Sequence, residues 1–228
     1  MDEYPNWGKP PAVTKPPPDT TPPIITVNPV TYHGESSFSY SNDQQFYYGD
    51  VPPKPTCTAE DNAGGSGVDT DYGCNVSGYN TNIGIHTLDF TAKYKAGNTA
   101  TKQISYEVLP WTIKGFYSPV KMTGAVNTII RGIIVPLKFE VFAGNTELKN
   151  PSTVVASLTS TKVDCSTGDK LGSPQPLTPQ SGTSLRYNTI TGQFIFYWRT
   201  PYQSNTCYDV QLTTKDGSAI VAHFKLVP

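Results

Sequence analysis

Charge is scarce in this chain. Only 15% of its 228 residues are Asp, Glu, Lys or Arg, and 17 basic side chains stand against 18 acidic ones, a net of -1. Such a surface has no overall field to draw in nucleic acid or an anionic membrane. Long apolar runs are missing too, and nothing approaches the roughly 18 residues that a membrane-spanning helix needs. The opening stretch, MDEYPNWGKPP, lacks the basic and then apolar pattern of a secretory leader. No window sustains the period of about 3.6 residues that marks an amphipathic helix. There is also no Cys-x-x-Cys pair, which argues against a zinc knuckle or a dithiol redox motif.

What is abundant points the other way. Proline (21), glycine (19) and tyrosine (14), with many Thr, Ser and Asn, suit short strands joined by frequent turns. Residues 1–23 hold eight prolines and almost no apolar bulk beyond Tyr4, Trp7 and Val13. That composition reads as a polyproline-II arm, either a spacer or a docking strap. In the strap reading Tyr4, Trp7, Pro10, Pro16 and Pro17 dock the arm to a neighbouring protein subunit.

Beyond the arm, alternation of apolar and polar residues sets the strands. His86, Leu88, Phe90, Ala92 and Tyr94 share one parity, and Ala100, Ile104, Tyr106 and Val108 resume it after an AGN turn. This predicts a hairpin with one buried face. A second hairpin sets Tyr208, Val210 and Leu212 against Ile220, Ala222, Phe224 and Leu226 across Asp216-Gly217. In IIVPLKFEVF (Ile133–Phe142) the pattern puts Leu137 and Phe139 in a core and Lys138 and Glu140 on a solvated face. Pro136 is then expected at an edge or a strand start, where no ladder donor is needed. Regularly spaced short strands without helices argue for β-sandwiches. The expected order is an arm (1–23), a first sandwich (24–109) and a second (110–228).

Four cysteines, Cys57, Cys74, Cys165 and Cys207, fall two in each half. They allow three disulfide connectivities. Pairing 57 with 74 and 165 with 207 closes the shorter loops and respects the domain boundary. Disulfides place the chain in an oxidising setting outside the cytoplasm. Together with the opening stretch, that suggests either a processed fragment or a protein released without a secretion route, as a virion protein is on lysis.

Several segments resemble known families. DTTPPIITV, PTCTAEDNAGGSGVD, CNVSGY and GIHTLDFTAKYKAGNTATKQISYEV are similar to the bacterial Ig-like repeats of surface and secreted proteins. Residues 110–228 resemble the PxKF domain: Pro136, Lys138 and Phe139 fill its motif, and GTSLRY, TGQF, WRTP, TCYDV and HFKL follow in order. The resemblance implies two Ig-like antiparallel β-sandwiches in tandem, accessory and non-catalytic, with no enzymatic residues to carry over. The usual D-N-A-G-N turn of the repeat is here Tyr94 to Asn98, without the aspartate.

The candidate sites are few. His33, His86 and His223 are far apart in sequence, no G-x-S-x-G elbow exists, and His86 shares the parity of core residues, as a hydrogen-bonded structural histidine does. The loop AEDNAGGSGVDTDYG offers Asp61, Asp69 and Asp71 as calcium ligands, although it lacks EF-hand order and also reads as a solvated turn. No other cofactor is expected. In FIFYWRTPY, Phe194, Phe196 and Trp198 are expected in the core, leaving Tyr197 and Tyr202 for surface or glycan contact. Asn75-Val76-Ser77 is a formal glycosylation sequon. The resulting expectation is a non-enzymatic structural or decorating subunit of an extracellular assembly, a phage virion, with the arm docked to it and the Ig-like domains projecting for adhesion. The alternative is a carbohydrate- or cell-wall-binding accessory module of a secreted bacterial protein. Its partners are then protein subunits of the assembly and a host cell-surface glycan.

Overall fold

A computed structural model describes residues 20–228 apart from 64, 66, 96 and 123. The residues expected to dock the arm, Tyr4, Trp7, Pro10, Pro16 and Pro17, lie outside the described residues. The chain is all-β, as its alternation predicts. Eight strands come first: β1 (Ile24–Val27), β2 (Val30–Tyr32), β3 (Glu35–Phe38), β4 (Gln44–Tyr47), β5 (Cys57–Glu60), β6 (Cys74–Ser77), β7 (Gly84–Lys93) and β8 (Thr99–Leu109). Then follow β9 (Thr112–Gly115), β10 (Val126–Ile130), β11 (Ile134–Ala143), β12 (Thr146–Glu147), α1 (Pro151–Val154), β13 (Val155–Val163), β14 (Gln175–Pro176), β15 (Arg186–Asn188), β16 (Gln193–Arg199), β17 (Thr206–Thr214) and β18 (Ala219–Val227). The described residues form two compact units: one gathers 20–40 with 53–79 and 87–104, the other 41–52, 80–86 and 105–228.

One departure from the sequence reading is local. The single helical turn α1 precedes β13, where only strand was expected. Asn150 starts it by accepting the Ser152 N–H at 3.0 Å, and Pro151, which has no N–H to satisfy, stands at the first helical position.

Among the first eight strands, β1 pairs with β5, β2 with β3, and a four-stranded sheet runs β4-β8-β7-β6. Leu88, Phe90, Ala92 and Tyr94 are buried on the predicted parity of β7, and Ala100, Ile104, Tyr106 and Val108 on that of β8. Cys57 and Cys74 form a disulfide between β5 and β6, which belong to different sheets.

The strands from β9 onward form a two-layer sandwich. One layer runs β10-β18-β17-β13-β14; in the other, β11 lies between β9 and β16, β15 follows β16, and β12 folds back on the end of β11. With β10 and the two-residue β12 and β14 left out of the count, the second layer reads first, second, fifth, fourth, and the first layer contains third, sixth, seventh, which is the ABED and CFG order of an Ig-type sandwich. Alternating side chains from both layers interdigitate in one core that includes Leu137, Phe139, Val141, Phe194, Trp198, Val210, Leu212 and Phe224. Phe139 stacks on Phe194 with ring centroids 5.1 Å apart, and Trp198 meets Phe224 edge-on at 5.1 Å.

Pro136 sits where a proline is tolerated. It is the third residue of β11, and β9 pairs only from Phe139 to Phe142, so β16 is its one named neighbour there. Lys138 and Glu140 are half-buried rather than fully solvated, and Glu140 accepts the Tyr117 hydroxyl at 2.8 Å. The second disulfide, Cys165–Cys207, joins the end of β13 to β17, which are already adjacent in register at Val163 and Cys207.

Candidate functional site

A concavity in the second unit opens at one end of this sandwich. It is a groove of about 570 Å³ lined by Ser160, Lys162, Gly172, Ser173, Gln175, Pro176, Thr178, Trp198, Arg199, Thr200, Pro201, Tyr202 and Tyr208. Its position follows from register. Lys162 pairs with Tyr208 across β13 and β17, and Tyr208 in turn pairs with Phe224, so Lys162 continues the row of Ser160 and Leu158 that faces the core. At the end of that row the core runs out, and the lysine is exposed. Trp198 (1% exposed) and Tyr208 (8%) form an aromatic floor whose packing is already satisfied by the core.

The segment after β16 builds the rim. The Thr200 N–H donates to the Ile133 carbonyl at 2.9 Å and its hydroxyl to the same oxygen at 3.1 Å, fixing the turn that follows. Tyr202 then projects with 68% of its surface exposed. Three contacts hold it. The Gly132 N–H donates to the Pro201 carbonyl at 3.1 Å, the Arg131 guanidinium donates to the Tyr202 carbonyl at 3.2 Å, and Arg199 Nη1 donates to the Tyr202 hydroxyl at 3.4 Å. The ring itself lies on Gly132: a Cβ there would come within 2.5 Å of Tyr202 Cε1, and φ at this glycine is +73°. A large apolar ring is therefore presented to solvent on a supported backbone.

The sequence-predicted residues separate. Phe194, Phe196 and Trp198 are buried. Tyr197 is half-buried outside the groove, with the Arg186 guanidinium 5.6 Å from its ring centroid. Tyr202 lines the groove. Arg199, Lys162 and Gly132 were not singled out from sequence. Arg199 was legible only as a neighbour in WRTPY, and Lys162 only through a strand register that sequence does not give.

The other candidates lie elsewhere. Asp69 accepts the Asp71 and Tyr72 N–H groups at 3.0 and 3.2 Å, and Asp61 accepts the Gly67 N–H. These carboxylates brace their own loops, and among the described residues no group of three or more His, Cys, Asp or Glu is placed to hold a metal ion. His86 Nε2 lies 2.6 Å from the Asn82 carbonyl, the hydrogen-bonded role its parity suggests. His223 Nδ1 is 2.6 Å from Asp209 Oδ1 on the adjacent strand.

Two tyrosines in the sandwich have raised pKa values. Tyr117 is pushed up to about 12 by burial, with further contributions from its hydrogen bond to Glu140 and that carboxylate's charge. Tyr187 rises to about 12 by desolvation first, then through its hydrogen bond to Glu147. Both favour the neutral phenol that donates.

The groove suits a ligand that is part apolar and part polar. A pyranose has that character, with C–H faces for a ring such as Tyr202 and hydroxyls for the Thr, Ser, Gln and cationic groups around it.

No family model matches the chain, and no curated protein matches it. Among solved structures it is similar to a Bacteroides ovatus mixed-linkage glucan utilization locus protein, SGBP-B, in complex with a mixed-linkage heptasaccharide, with 13% identity over 91% of this chain and 48% of that one, and a TM-score of 0.24. It therefore spans about half the length of that protein. It is also similar to a chimeric titin Z1Z2-Z1Z2 tandem, with 10% identity over 91% of this chain and all of that one and a TM-score of 0.28. The C-terminal domain of the Streptococcus agalactiae AgI/II polypeptide BspA is a third, with 10% identity over 63% of this chain and 59% of that one and a TM-score of 0.27. At these identities and scores none of the three bears on function.

Proposed function

We propose that this chain is a non-enzymatic adhesion subunit of an extracellular assembly, holding surface carbohydrate in the groove beside Tyr202. The observation that supports the reading most directly is the exposed tyrosine ring seated on Gly132 at the rim of a groove that combines an aromatic floor with Ser, Thr, Gln and cationic side chains. Two disulfides agree with an oxidising location. In this reading the proline-rich segment of residues 1–23 tethers the subunit, as in a virion decoration or fibre protein, and the sandwiches present the groove.

Electrophoresis of the intact chain through gels containing dissolved polysaccharides tests the carbohydrate part. At least one polysaccharide should retard the chain, and Tyr202→Ala should weaken retention by about tenfold or more. Tyr197→Ala, outside the groove, should leave retention unchanged. If no polysaccharide retards the chain, or Tyr202→Ala is without effect, the reading fails. Removing residues 1–23 should abolish incorporation into the assembly and leave the melting temperature unaltered; a truncated chain that still incorporates overturns the tether.

A further inference from the structure

The groove segregates charge. Lys162 stands on the β13 side and Arg199 on the β16 side, and no aspartate or glutamate lines it. In a chain with 18 acidic against 17 basic side chains, a concavity whose charged lining residues are both cationic is a local departure from the mean. Other grooves in the same unit differ: one of about 580 Å³ contains Asp50 and no cation, and another sets Asp164 and Asp209 among His223 and Lys225. Arg199 also touches the tyrosine, with its guanidinium 3.4 Å from the Tyr202 hydroxyl. A ring for a sugar face and a cation for its charged substituent are thus presented together. Cations in a concave, low-dielectric surface attract anions more strongly than the same charges on an open face. A guanidinium also matches carboxylate and phosphate oxygens in a two-point contact.

We infer that the groove selects anionic polysaccharide, with Tyr202 stacking on a sugar ring while Arg199 and Lys162 engage carboxylate or phosphate groups along the chain. This inference rests on the carbohydrate reading above and narrows it. Uronic acids and polyol-phosphate polymers supply the same chemistry from two sources, and the experiment separates them.

Retardation of the intact chain is compared in gels containing polygalacturonate, poly(glycerol phosphate), neutral hydroxyethyl cellulose and, as a polyanion without sugar rings, polyglutamate. At least one of the first two should retard the chain several-fold more than the neutral polymer or polyglutamate. The better of the two identifies carboxylate or phosphate as the group held. The preference should shrink between about 50 and about 500 mM salt. The double substitution Lys162→Gln and Arg199→Gln should reduce retention on the acidic polymer by about tenfold or more, with the melting temperature unchanged, and the single substitutions should each give part of that loss. Equal retention by neutral and acidic polysaccharides, with Tyr202→Ala still disruptive, overturns this inference and leaves the carbohydrate reading standing. Equal retention by polyglutamate, or full retention by the double variant, also overturns it. If no polymer retards the chain, both readings fall.

Discussion

The strands up to β8 and those from β9 onward end in the same way and are fastened differently. In the first region β4 runs parallel to the last strand, β8; in the second, β10 runs parallel to the last strand, β18. The closing hairpins share a turn as well. Tyr94 N–H donates to the Asn98 carbonyl and Gly97 N–H to Tyr94, and Thr214 N–H donates to Ser218 and Gly217 N–H to Thr214. Gly97 and Gly217 have φ values of +94° and +89°. Sequence identity does not reveal this correspondence, because a turn requires only a glycine in the left-handed region and a strand only its alternation.

The fastenings teach more. In the first region β1 through β6 are only three or four residues long, and the Cys57–Cys74 bridge links sheets that share no ladder between β5 and β6. In the second, Cys165–Cys207 spans neighbours that already share a nine-residue strand and a continuous core. Loop entropy alone ranks the bridges the other way, at about 3 kcal/mol for the 17-residue separation and about 4 kcal/mol for the 42-residue one. Burial decides otherwise: a bridge matters most where little else holds the same elements together.

The largest test of that contrast is removal of each bridge. Cys57→Ser with Cys74→Ser should abolish the native amide-exchange protection of β5 to β7, whereas Cys165→Ser with Cys207→Ser should lower the melting temperature and leave the β16–β18 core protected. The reverse pattern would break the comparison. Next in size is Asp216→Ala. Its carboxylate, 8% exposed, accepts the Trp111 N–H, the Ser218 N–H and both the Thr214 and Ser218 hydroxyls. The AGN turn of the first region has no carboxylate in its sequence. Losing the carboxylate takes the acceptor from the Trp111 and Ser218 N–H groups, whereas the Thr214 and Ser218 hydroxyls keep the Ser218 and Trp111 carbonyls within reach, and chemical denaturation should show a loss of about 1–3 kcal/mol.

A smaller effect is expected at high pH. Tyr117 and Tyr187 have folded-state values of about 12, above the ordinary 10.0. The folded state therefore holds these protons more tightly, and their stabilisation is complete below pH 10 and is lost as pH rises toward 12. Tyr117→Phe and Tyr187→Phe together should flatten the fall in melting temperature over that window. If the slope is unchanged, the phenols are not its source. Smallest of all is the acid-side effect of Asp164. Hydrogen bonds from the Ser166 hydroxyl and N–H and from the Thr167 N–H hold its pKa down, from 3.8 to about 2. Its contribution is present above pH 4 and disappears as pH falls through 2, so Asp164→Ala should slightly flatten the acid limb of a stability profile and change little at neutrality.

The sandwich was legible in the sequence because a strand advertises its buried face every second residue. Leu88, Phe90, Phe139, Trp198 and Val210 could be placed inward by counting. The disulfide partners were legible because the shorter loops are the ones closed. The groove was only half legible. Tyr202 could be nominated as an exposed ring after a core strand, but Tyr197 was nominated on the same grounds and lies outside the groove.

By itself the sequence determined the all-β class, the strand parities, the expected bridges and the turns, because these depend on residues close along the chain or on periodicity. Only the tertiary structure decided that β10 and β18 run in parallel, that Lys162 stands across a groove from Arg199, and that Tyr202 rests on Gly132. Those placements depend on which strands pair and in which register, and the free energy that selects the pairing is spread over the whole core and concentrated in no local motif.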